Sequence, residues 1–254
     1  MSEKYSTLDR LFVAGEWREG TGDTLKNICP WDESEIFSMK TAQASDVDEA
    51  CKAARQAQGE WAVLPPSARA AKMLAIGDIL EARKDEIAAW IVREVGGTQV
   101  KAALELMLVT QVARQEAAAL PYMVEGAILP EDIPGKESRA YRQPAGVVAL
   151  ISPWNFPLAI FLGQVAAAIV TGNTVIAKPA EQTSLIALRA IELMLSVGLP
   201  EHVVQPVIAR GSEVGKTIVP DERIQAVMFT GSTETGTLIS QTLAARNDIQ
   251  VPLI

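Results

Sequence analysis

Three short polar groups in this chain follow apolar runs, at positions where side chains could do chemistry. Trp154 and Asn155 come after Val147–Ile151, Lys178 and Glu181 after Thr174–Ala177, and Thr230, Gly231 and Ser232 after Gln225–Phe229. Asn155 offers a side-chain NH₂ donor, whose plainest use is to cap a loop. Lys178 and Glu181 stand three apart and read most simply as an exposed, solvated ion pair. The Thr230–Ser232 segment sits between a strand end and a helix start, where free backbone N–H groups and the positive helix end suit a pyrophosphate. Ser232 equally suits a plain N-cap, and it could serve both purposes. A further stretch, Gly211–Thr217 (GSEVGKT), resembles a P-loop with one residue too few between its glycines. The following strand, AVMFT, offers no aspartate for the metal of such a site.

The elements that must position these groups follow a βα rhythm. Val147–Ile151 is continuously apolar, as expected of a strand buried on both faces. Leu158–Val170 reads as a buried helix closed by the turn pair Gly172-Asn173, and Thr174–Ala177 as the next strand. Helices over Ser184–Val197, Glu213–Val219 and Thr233–Ala244 alternate with strands over Val203–Ile208 and Gln225–Phe229, and Val251–Ile254 begins another strand. Pro206 marks an irregular or exposed strand position. This alternation predicts an α/β fold, a doubly wound parallel sheet with helices on both faces.

The first half reads differently. Leu11–Trp17 is expected to be an edge strand with a turn at Gly15, and Trp17 a packing residue. Ser45–Asp48 resembles a capping box opening a helix to about Gln58. Pro65-Pro66-Ser67 opens a long helical region that Gly96-Gly97-Thr98 breaks, and a second helix runs from Gln99 to about Leu120. Gln99, Lys101, Glu105, Gln111, Arg114 and Glu116 are expected on the wetter face of that second helix. Pro121–Pro144 is read as loop and strand, with Ser138–Gln143 leading into the first core strand. The divisions expected are 1–120, strand and helical layer of a coenzyme domain; 121–146, linker and oligomerisation strand; and 147–254, a Rossmann-like core.

PWNFP, KPAE and FTGSTETG, in this order and spacing, resemble the aldehyde dehydrogenase superfamily. LFVAGEW and YRQPAGVV extend the resemblance over nearly the whole chain. It implies a variant Rossmann arrangement without GxGxxG, and an interdomain, oligomer-forming strand from the region before Gly146. It implies NAD as coenzyme, with Ile151, Ser152, Pro153 and Trp154 lining the dinucleotide cleft together with Phe229, Thr230, Gly231 and Ser232. Lys178 and Glu181 would meet the adenosine ribose hydroxyls. A carboxylate accepts from a 2′-OH and repels a 2′-phosphate, so Glu181 favours NAD over NADP. Gly211 and Gly215 would let a short helix approach the coenzyme closely. Two departures, His202 and Ala209, fall where many relatives carry glycine. The implied reaction converts an aldehyde to a carboxylic acid: a cysteine thiolate adds to the carbonyl, Asn155 and a backbone N–H hold the oxyanion, hydride passes to the nicotinamide, and a glutamate-activated water releases the acid.

The resemblance also implies a Glu-x-Gly-Gly segment and then the nucleophilic cysteine, and the sequence reaches Val251–Ile254 where the glutamate-bearing strand is expected to begin. One expectation is therefore an inactive fragment that binds NAD or a complementary chain, with association through an exposed apolar sheet edge at Pro252–Ile254. Likeness to aromatic-aldehyde enzymes in Pro121–Gly146 and to glutamate-semialdehyde enzymes from Met228 to Ile254 points two ways on substrate.

Composition bounds the remainder. The 254 residues carry a net charge of −8, which argues against nucleic acid as the main partner. The two cysteines, Cys29 and Cys51, are too few for a disulfide scaffold and fit a reducing compartment. The first residues, MSEKYSTLDR, lack an apolar core for a secretory signal, and the longest apolar helix is too short to span a bilayer. Cytoplasm is the expected location, with no membrane partner. The single histidine, His202, has no GxSxG elbow to serve, no His/Cys cluster has metal-ligand spacing, and Glu131-Asp132 and Asp221-Glu222 read as solvated loops.

Overall fold

The computed structural model describes residues 9–124 and 126–254. The expectation about the polar chain start falls largely on residues 1–8, outside the described residues. The first half supplies β1 (Leu11–Val13), β2 (Glu16–Arg18), β3 (Thr24–Ile28), β4 (Glu35–Lys40), α1 (Ala44–Val63), α2 (Pro66–Ala82), α3 (Lys84–Val95), α4 (Gln99–Val124), β5 (Ala127–Leu129) and β6 (Ser138–Ala140). The second half alternates: β7 (Val147–Ile151), α5 (Ala159–Val170), β8 (Thr174–Lys178), a 3₁₀ turn (Glu181–Thr183), α6 (Ser184–Ser196), β9 (Val204–Pro206), α7 (Gly211–Ile218), β10 (Ile224–Phe229) and α8 (Thr233–Ala244).

The central sheet is parallel, in the order β10-β7-β8-β9. Residues 252–254 run beside β10: Val227 bridges Leu253 in parallel, and Phe229 N–H donates to Ile254 O at 2.9 Å. Numbered along the chain, the five segments lie in the order 3-2-1-4-5, so the winding reverses between β7 and β10. The reason β7 reads as one apolar run is visible in the packing. Val148 and Leu150 face a core shared with α2 to α6, while Val147 and Ala149 face a second core shared with α1, α7 and α8. Full burial of side chains such as Phe161 and Leu162 contributes about 1.5–3 kcal/mol each.

The βαβ unit is closed tightly. Gly172 takes φ +92°, which an L side chain resists, and Asn173 stitches the turn by accepting from Gly146 N–H at 3.0 Å and donating to Ala168 O at 3.1 Å. Arg69 of α2, only 4% exposed, donates to Val170 O at the end of α5 and to Ala62 O and Leu64 O at the end of α1.

Several expectations are corrected. Among the described residues the strand at Leu11 pairs only with β2, as an edge strand should, but its side chains are buried, with the Phe12 ring tilted against Trp17 at 5.0 Å. The α1 box starts two residues early: Gln43 is the N-cap and its N–H donates to Asp46, not to a group on Asp48. The helical region after Pro65 runs to Gly96 as expected, and within it two helices meet at Arg83. α4 continues through Pro121 to Val124. Pro206 is buried on edge strand β9; Val207 N–H donates to Ala177 O, so the proline nitrogen points away from the ladder and no bond is lost. Glu105 is not on a wet face; it is completely buried. The β3–β4 hairpin and β5 were not foreseen. Among the described residues, no helix is long and apolar enough to cross a membrane.

Candidate functional site

Beyond the carboxyl ends of β7, β8 and β10 lies a cavity of about 930 Å³. Ile151 and Phe229 are register partners in the two strands where the winding reverses, so the cavity opens where a doubly wound sheet admits ligands. All the residues singled out from sequence line it: Ile151, Ser152, Pro153, Trp154 and Asn155 after β7; Lys178 and Glu181 after β8; Gly211 and Gly215 on α7; Phe229, Thr230, Gly231 and Ser232 after β10.

The β8 end is electrostatically built rather than merely solvated. Lys178 is buried, which rules out the plain reading of a solvated surface pair, and its Nζ donates to Pro179 O at 3.0 Å and to Glu181 at 3.3 Å. Burial pushes the Lys178 ammonium below its usual range, and the Glu181 charge pulls it back. The Glu181 side chain keeps 27% exposure toward the cleft. Its loop is braced from behind. Glu94 of α3, fully buried, accepts from Leu185 N–H at 2.7 Å, Ile186 N–H at 2.9 Å and the Asn27 amide, and Asn27 also donates to Gln182 O. Burial pushes Glu94 up to about 7 against those donors.

At β10, Ser232 caps α8: its Oγ accepts from Thr235 N–H at 3.2 Å. At Gly231 a Cβ would stand 2.6 Å from the Phe229 ring, so any side chain there must displace that ring. Gly215 differs: a Cβ there would meet nothing within 4 Å, because α7 turns this face to the cleft. Ser152 Oγ is buried beside the cleft with no protein partner. Asn155 is exposed, and its carboxamide makes no hydrogen bond among the described residues. A free hydroxyl, a free amide donor, open helix N-terminal N–H groups on α7 and a carboxylate form a donor and acceptor set suited to sugar hydroxyls and phosphates.

The P-loop reading fails on geometry. Its glycines lie within α7 itself, which begins at Gly211, so no loop precedes the helix to wrap a phosphate. The cysteines stay outside the cleft: both are buried, and burial pushes the Cys51 thiol up to about 12. Sequence reasoning missed Gln182, Val219, Leu238 and Ile239, which also line the cavity, as does Lys216, named only as the lysine of the P-loop reading. Leu238 and Ile239 on α8 read as ordinary amphipathic positions; only the gap between α7 and α8 makes them a slot wall.

Comparison with known proteins agrees with this geometry. The chain is 40% identical over 248 residues to a vanillin dehydrogenase of Corynebacterium glutamicum, covering 95% of this chain and 50% of that protein. It is 36% identical over 240 residues to a benzaldehyde dehydrogenase of Bacillus subtilis, covering 94% and 49%. The crystal structure of betaine aldehyde dehydrogenase from Staphylococcus aureus in complex with NAD+ superposes with a TM-score of 0.92 at 31% identity, over 98% of this chain and 50% of that one. The chain thus spans about half the length of the relatives it matches. The model of the aldehyde dehydrogenase family matches residues 17–253, and with the motifs, the winding order and the cleft in agreement, this chain belongs to that family.

Proposed function

We propose that the chain forms the coenzyme-binding part of an NAD+-dependent aldehyde dehydrogenase that converts an aldehyde to a carboxylic acid. The observation that carries this reading is the cleft itself: thirteen residues chosen from motifs converge on one cavity at the winding reversal. In this reading Glu181 and Lys178 hold the ribose hydroxyls next to the adenine. The slot between α7 and α8, walled by Val219, Leu238 and Ile239, takes the base. The N–H groups of Gly231 and Ser232 and the start of α7 face the phosphates, while that of Thr230 is taken by Ile151 O at 3.0 Å. NAD+, when bound, supplies the hydride acceptor. Asn155 donates its amide to the oxygen that gains charge when a thiolate adds to the aldehyde, a contribution of about 3 kcal/mol for a well-placed donor. Neither cysteine of these 254 residues lies in the cleft, so the thiolate comes from outside them. Vanillin and benzaldehyde, for which the two relatives are named, make aromatic aldehydes the first substrates to test.

Glu181 sets the choice of coenzyme. Calorimetric titration with NAD+ and NADP+ is expected to favour NAD+, and Glu181→Ala to narrow the ratio. Equal affinities in the unsubstituted chain would overturn the assignment. The exposed β5–β6 ribbon, with Ile128 and Leu129 open to solvent, supports a role in homo-oligomer contacts.

A further inference from the structure

The connection from β7 to α5 carries Asn155, and the start of α5 has no capping side chain of its own. Leu158 occupies the N-cap, a residue that cannot accept from the free N–H groups behind it. The missing acceptor comes from another helix. Glu105 of α4 reaches across, and its Oε1 accepts from Leu158 N–H at 2.7 Å and from Ala159 N–H at 3.1 Å. Its Oε2 accepts from Lys101 Nζ at 3.2 Å, one turn earlier on the same helix. That same ammonium stands 4.4 Å from the centre of the Phe156 ring. One pair of side chains therefore holds the loop at two points, the residue directly after Asn155 and the residues three and four beyond it.

A fully buried carboxylate is an expensive cap, since Ser or Asp at 158 would do the same work locally. Two features justify the longer route. The bonds run to a rigid element outside the loop, so they fix the loop relative to α4 rather than only to α5. The second is charge. A lone carboxylate bonded to Leu158 and Ala159 N–H, three and four residues after Asn155, would oppose an anion forming at that loop, and Lys101 cancels it while clamping Phe156 through the ring face.

We propose that Glu105 and Lys101 are positioning residues for Asn155: they pin the loop that presents its amide and keep the ground behind it free of net negative charge. This rests on the reading of Asn155 as a donor to a developing anion.

The test uses the 254-residue chain with Lys101→Met and Glu105→Gln, each of which removes the charge and keeps most of the side-chain volume, and Glu105→Ala as the severe case. Two signals are read: amide hydrogen exchange over residues 154–160 against that of the sheet, and the Asn155 carboxamide resonances, assigned by Asn155→Asp. In Lys101→Met, exchange at Phe156, Leu158 and Ala159 is expected to rise about tenfold, the opening that follows loss of one charged hydrogen bond, with sheet protection unchanged. The Asn155 carboxamide signals should shift or broaden. Glu105→Gln retains an oxygen acceptor and should fall between the parent and Glu105→Ala. Unchanged loop exchange and unchanged Asn155 signals in Lys101→Met and Glu105→Gln would overturn the proposal. So would protection lost equally across loop and sheet, which marks a purely structural cap. NAD+ titration of the parent chain, run alongside, separates this from the coenzyme reading: a loop that answers to Glu105 in a chain that binds no NAD+ sustains the positioning role and retires the coenzyme cleft.

Discussion

Gly215 gives the cleft its sharpest test, because one position separates stability from binding. It lies inside α7 with ordinary helical backbone, and a Cβ built there meets no atom within 4 Å. Glycine inside a helix costs about 0.5–1 kcal/mol relative to alanine. Gly215→Ala should therefore stabilise the protein by about that amount, which raises Tm by about 1–4 °C for a chain of this size. Gly215→Leu keeps most of the helix gain but drives four carbons into the cavity beside Val219 and Lys216. If a coenzyme lies there, its Kd should rise at least about tenfold, or about 1.4 kcal/mol. The assays are thermal unfolding and calorimetric titration on the same samples. A lower Tm for Gly215→Ala would refute the open geometry of α7. Unchanged NAD+ affinity in Gly215→Leu, with parental binding intact, would refute the placement of the coenzyme against this helix.

Arg69→Ala should destabilise by on the order of 3 kcal/mol in urea unfolding, because three helix-end carbonyls lose a charged donor; Arg69→Lys, with one nitrogen, should recover only part. Glu94 gives stability a pH signature. Its folded pKa is raised to about 7, so its favourable contribution is full below its ordinary value of 4.5 and fades as pH rises through 7, on the order of 3 kcal/mol in all. Glu94→Gln should flatten that segment of the stability profile, and a slope unchanged by the substitution would exclude Glu94 as its source. Cys51, buried and held protonated to about pH 12, should resist Ellman's reagent at pH 8 until the chain is unfolded; rapid native labelling at Cys51 would contradict the packing around it.

The βα half was legible because its strands are buried on both faces and show as unbroken apolar runs. VVALI and TVIAK need no partner to announce themselves. The β3–β4 hairpin hid for the opposite reason. In TLKNI the buried positions are Leu25 and Asn27 while Ile28 faces solvent, so polarity and burial disagree at the last two residues. Asn27 is inside because Glu94, distant in sequence, takes its amide. Glu105 was misplaced on a wet face by the same kind of cause: the groups it satisfies, Leu158 and Ala159 N–H, lie some fifty residues on. β5 gave no burial pattern at all, since all three of its residues are exposed. Motif residues of the cleft could be named because the family resemblance attaches them to short local motifs, whereas the braces behind them exist only as tertiary contacts.

The most direct measurement is calorimetric titration of the 254-residue chain with NAD+, with ATP–Mg²⁺ in parallel, repeated on Glu181→Ala and Lys178→Ala. The account predicts saturable NAD+ binding, weakened in both variants, and no competing ATP–Mg²⁺ site. No NAD+ binding by a chain that unfolds cooperatively, or binding of ATP–Mg²⁺ alone, would contradict it.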